Sequence, residues 1–129
     1  MRVPQEILDQ IAEYTEVPYP STHIYFLPWT SKLRLKLAIT LGSRVFKLGT
    51  EYILWGHLAH ELFHVYQYSQ HGFLRFILKY LPQLRLRWKN RPLEVGAINS
   101  AFIIYAQPWG TQVALYKGMV GNGDQEPSS

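Results

Sequence analysis

Apolar side chains recur along this chain with two different periods, and the places where the period changes divide it into elements. Ile7, Leu8 and Ile11 stand at helical spacing behind Pro4, which predicts a short amphipathic helix from Pro4 to about Tyr14. The run Val17-Pro-Tyr-Pro-Ser breaks it. His23 to Leu27 is rich in β-branched and aromatic residues and reads as a strand ended by Pro28. Leu33, Leu35, Leu37 and Ile39 alternate with basic and small residues, a period-two pattern that predicts a strand from Leu33 to Thr40. Gly42-Ser43 then turns the chain into a further strand from Arg44 to Leu48, giving a hairpin.

The second half follows the helical period. Glu51 to about His71 predicts one long helix with Thr50 as its N-cap, stopped by Gly72. Phe73 to Tyr80 resumes as a helix until Pro82. Pro92 opens a last helix over Leu93 to Ala106, before Pro108. Residues 119–129 are a Gly, Pro and Ser tail, expected to be mobile. There is no internal repeat, and residues 1–118 are expected to form one domain.

On the long helix, His60 and His64 are four residues apart and so lie one above the other on one face. Two imidazoles at that spacing can hold one cation. Glu61 is turned about 100° from His60 and can reach the cation's open side, where a carboxylate can take a proton from a water attacking a carbonyl. His60-Glu61-x-x-His64 is thus the HExxH pattern of zinc metalloproteases. His57, one turn before His60, is placed to line the edge of the same cleft. His23 and His71 have no partner spacing.

Composition decides what else can complete such a site. The chain has no cysteine, so thiolate sites are excluded and any metal must be held by histidine and carboxylate. A catalytic zinc takes three protein ligands and leaves one position open. The next acid after Glu61 is Glu94, followed only by Asp124 and Glu126 in the tail. Glu94 is therefore the expected third ligand, although an acid in a first helical turn also suits the helix dipole.

The net charge is +4, and from Leu62 to Leu93 there is no Asp or Glu while Arg75, Lys79, Arg85, Arg87, Lys89 and Arg91 fall there among leucines and aromatics. Such a basic, apolar stretch over residues 73–91 suits contact with an anionic membrane surface; nucleic acid is not the expected partner. The plainer reading is a helix and loop whose apolar side closes the core and whose arginines are solvated. No run of about 18 apolar residues suggests a membrane span, and the acidic N-terminal stretch lacks the core of a signal peptide. A cytoplasmic protein is expected unless a non-classical route exports it.

The segments His57-Leu-Ala-His-Glu-Leu-Phe-His-Val-Tyr-Gln-Tyr and Arg91-Pro-Leu-Glu-Val-Gly-Ala resemble the gluzincin class of zinc peptidases. The likeness is to the small domains called minigluzincins and to similar domains of bacterial toxin-like and injection-system cargo, and it runs from about Thr22 to Ala106. It implies an α+β unit, a short twisted sheet packed on the active-site helix with a glutamate helix behind it. It further implies Zn2+ on His60, His64 and Glu94, Glu61 as general base, and a peptide or protein substrate laid along an edge strand near Arg44 to Leu48. Two departures accompany it. Many larger gluzincins place an Asp four residues after the ligand glutamate to orient a histidine; here that position is Ile98, with Asn99 beside it as the nearest substitute. Larger members also bring oxyanion donors from a further domain, and here Tyr66, Tyr68, Tyr105 and His57 are the available ones. The expected function is zinc-dependent peptide hydrolysis; the alternative is a zinc-binding regulatory or interaction module with little or no turnover.

Overall fold

The computed structural model describes residues 1–33, 37–85 and 92–118. Within them the chain is an α+β fold. Helix α1 (Gln5–Thr15) leads to strand β1 (His23–Leu27) and a 3-10 turn (Pro28–Leu33). Strands β2 (Ala38–Leu41), β3 (Arg44–Leu48) and β4 (Tyr52–Leu54) precede helices α2 (Trp55–His71) and α3 (Phe73–Tyr80). A second 3-10 turn (Leu81–Arg85), helix α4 (Pro92–Tyr105) and strand β5 (Val113–Tyr116) complete it.

The hairpin forms as its pattern predicts. Leu41 pairs with Arg44 across Gly42-Ser43, and Gly42 supplies the left-handed backbone (φ 63°) that a two-residue turn requires. The strand that feeds it is shorter than expected: Leu33 belongs to the 3-10 turn, β2 begins at Ala38, and Leu35 lies outside the described residues. β3 pairs in parallel with β1 as well, so the sheet order is β1-β3-β2. β3 is therefore central. The edge expected near Arg44 to Leu48 lies instead at β1 on one side and β2 on the other.

The long helix also begins later than its apolar pattern suggests. Tyr52 to Leu54 is extended and pairs with β5, Tyr52 opposite Tyr116 and Ile53 opposite Leu115. Thr50 does not cap α2; its hydroxyl donates to the Tyr52 carbonyl. In place of a side-chain cap, the first amides of α2 bond to the loop before β5, Trp55 N–H to Gln112 and Gly56 N–H to Gly110. Gly72 (φ 81°) ends α2 as expected. The basic stretch is described as far as α3 and the turn after it; Arg87, Lys89, Arg91 and the tail 119–129 lie outside the described residues.

The core gathers Ile7, Leu8 and Ile11 of α1, Ile24 of β1, Val45 of β3, and Leu58, Leu62 and Val65 of α2. Ile104 of α4 and Leu115 of β5 close it. Helix α4 buries Leu93, Ala97, Ser100 and Ile104, a narrow stripe at helical spacing turned toward α2. The two helices approach closely because Gly96 has no side chain: a Cβ there would stand 2.5 Å from the Phe63 ring of α2. That close approach brings the polar face of α2 against the first turn of α4. A second, smaller cluster of Tyr68, Phe76 and Leu93 packs beneath it.

Candidate metal centre

The α2 spacing and the α4 stripe converge on one point. His60 Nε2 and His64 Nε2 lie 3.2 Å and 2.9 Å from the same atom, Glu94 Oε1. All three side chains are buried, and a ligand atom from each falls within 4.8 Å of the others. Among the described residues this is the one group of three or more His, Asp and Glu side chains close enough to share an ion.

A second set of hydrogen bonds holds the three in place. Gln67 Nε2 donates to the Leu93 carbonyl at 2.9 Å, which turns its Oε1 toward His64 Nδ1, also at 2.9 Å. His64 Nδ1 must then carry the proton, and in the neutral ring Nε2 keeps its lone pair. That lone pair faces a carboxylate oxygen. Two acceptors at 2.9 Å need a proton or a cation between them, and two imidazole nitrogens with a carboxylate oxygen are a donor set suited to a metal ion. The residues fit the group. On the other side of the carboxylate, Tyr80 O–H donates to Glu94 Oε2 at 2.6 Å, leaving Oε1 toward the histidines. Gln83 Oε1 accepts from Leu93 N–H and supports the start of α4.

The charges are mutually tuned. Burial pushes the Glu94 carboxyl up, but hydrogen bonds from His60 and His64, the His64 charge and the Tyr80 hydroxyl outweigh it, so Glu94 is held far below the usual carboxylate range. Burial lowers His64, yet its bond to Glu94 and the negative charges of Glu61 and Glu94 raise it above the ordinary imidazole value. The same negative field favours any cation at this point.

Glu61 stands in the same cleft and is not a fourth member of the triad. Thr40 O–H of β2 donates to Oε1 at 2.7 Å, and His57 Nε2 lies 3.6 Å from Oε2. Burial alone would raise this carboxyl; His57, the charges of His64 and His60, and Thr40 reverse the sign and keep it ionised. His57 takes the cleft-edge position expected of it. Of the other possible donors, Tyr105 lines the cleft, and Tyr68 O–H is engaged by the Thr40 carbonyl at 3.0 Å. Tyr66 packs on Phe63, away from the cleft lining. Asn99 is exposed, so the role suggested for it falls instead to Gln67, three residues beyond His64.

The cleft in front of these groups has a volume of about 730 Å³. β2 forms one wall, with Phe76, Ile77 and Tyr80 of α3 and Ile98, Phe102 and Tyr105 toward α4 forming the others. Thr40, Gln67 and Tyr80 are the residues whose roles sequence reasoning missed. Gln67 had a local signal, a polar side chain one turn past a candidate ligand; Tyr80 and Thr40 had none. No protein-family model, curated protein or solved structure matches this chain.

Proposed function

We propose that the protein is a zinc-dependent metallopeptidase of gluzincin type. The observation that carries this reading is the convergence of His60 and His64 on Glu94 Oε1, with Glu61 ionised beside them in an open cleft. Zinc held by those three residues would supply a Lewis acid that polarises a carbonyl and acidifies water. Glu61 accepts the proton of the attacking water and then passes it to the departing amine. Thr40 and His57 hold its two oxygens on the cleft side. A peptide added beside β2, the outer strand on the cleft side of the sheet, would run past Glu61 and the three ligands.

Metal content of the purified protein tests the site. The wild type is expected to retain about one zinc per chain, and Glu94→Ala or His64→Ala to lose it. Stoichiometric zinc in either variant would overturn the ligand assignment. Full zinc with no cleavage of any member of a mixed peptide library would favour the interaction-module reading.

A further inference from the structure

Helix α3 carries three parallel strips, and the metal cleft uses one of them. Phe76, Ile77 and Tyr80 turn toward the cleft. Leu74 and Leu78, with Leu81 one turn on, lie along a second line and expose 68%, 59% and 54% of their surface. Arg75 and Lys79, one turn apart and both exposed, form a third line beside the leucines. A helix that meets only water places polar side chains where these leucines stand.

We propose that α3 docks on an anionic lipid bilayer, its leucines entering the boundary between headgroups and acyl chains and its two cations lying among the lipid phosphates. Charge selects this occupant. No acid occurs from Leu62 to Leu93, and the first one beyond, Glu94, is buried and turned to the histidines. Nothing along the segment repels a negative surface, and the long stems of Arg75 and Lys79 can reach the headgroups while the leucines go deeper. Lys79 Nζ also lies 3.4 Å from His71 Nδ1, at the end of α2. One short helix with two exposed leucines, and a third in the turn after it, makes a weak, reversible, salt-sensitive contact. Because the opposite strip lines the cleft, docking leaves the cleft on the side of α3 turned away from the membrane. The inference does not depend on peptidase activity.

Co-sedimentation of the full chain with phosphatidylcholine vesicles, with and without phosphatidylserine, tests it. The protein is expected to pellet with the phosphatidylserine vesicles, less so as salt is raised, and not with phosphatidylcholine alone. Arg75→Gln with Lys79→Gln should lower the partition coefficient roughly thirty-fold. Leu74→Ser with Leu78→Ser should remove binding, while melting temperature and metal content stay at wild-type values because both leucines are exposed. Three results would overturn the proposal: failure to pellet with phosphatidylserine vesicles, binding indifferent to the leucine pair, or a leucine-dependent dimer in lipid-free sedimentation.

Discussion

Helices α2 and α3 are joined through Gly72 alone, yet they meet their surroundings in opposite ways. Helix α2 buries His60, Glu61, His64 and Gln67 together with its leucines. Helix α3, among its described side chains, buries Phe76 and leaves Leu74 and Leu78 in the open. Burying four polar groups is tolerable because each has partners: Glu94 for the two histidines, Thr40 and His57 for Glu61, and His64 and Leu93 for Gln67. Polar and titratable side chains are thus concentrated on a helix that is largely buried, and apolar surface is displayed on one that is largely exposed. Polarity by itself says little about where a side chain ends up; the partner does.

Substitutions can break that contrast. Glu61→Gln removes the proposed base but keeps a side chain of the same shape, so zinc should remain while hydrolysis falls by about 10²–10⁴ or more. Metal analysis and peptide cleavage on one preparation check both halves, and undiminished cleavage would remove Glu61 from the reaction. Leu62→Ala and Leu78→Ser compare the helices through stability. The first should cost about 2–5 kcal/mol, and the second should stay within about 0.5 kcal/mol, measured by urea denaturation. Equal losses would mean that α3 is packed far more tightly than its exposure implies.

Gln67→Leu has a smaller, site-confined effect. It removes the acceptor that keeps His64 Nδ1 protonated and the link from α2 to Leu93. Zinc affinity in a competitive chelator titration should fall about ten- to a hundred-fold, with the fold retained. Smallest is the dependence on pH in metal-free protein. His64 is raised, so its contribution to stability is full below the ordinary imidazole value of 6.5 and fades as pH climbs through its native value. Glu61 and Glu94 are lowered, so theirs is full above the ordinary carboxylate value of 4.5 and is lost as pH falls through their native values. Thermal melts of chelator-treated protein should therefore peak between those two pH values. A melting temperature rising steadily above pH 7 would contradict the assigned partners.

Local periodicity carried much of the architecture. Strands β1 and β3 occupy the stretches their composition marks, because β-branched runs bounded by proline and glycine depend on near neighbours. The triad was also legible: a four-residue spacing is a local fact, and a stretch without acids singled out Glu94. What escaped was set by distant pairing. Ile53 and Leu54 fit a helical pattern, and only Leu115 and Val113, some sixty residues later, draw them into a ladder. β3 became central instead of outer because β1 joins it from the far side. The same holds within the site. Thr40 reaches Glu61 across 21 residues, and Tyr80 reaches Glu94 across 14. Neither approach has any trace in local pattern.

The separation of the triad along the chain has a mechanical consequence. His64 and Glu94 are 30 residues apart, so an ion gripped between them would close a loop and act as a cross-link. Closing a loop of that size removes about 3–4 kcal/mol of freedom from the unfolded chain in the entropic account of such links. In a chain without cysteine, this staple could be undone by a chelator but not by a reductant.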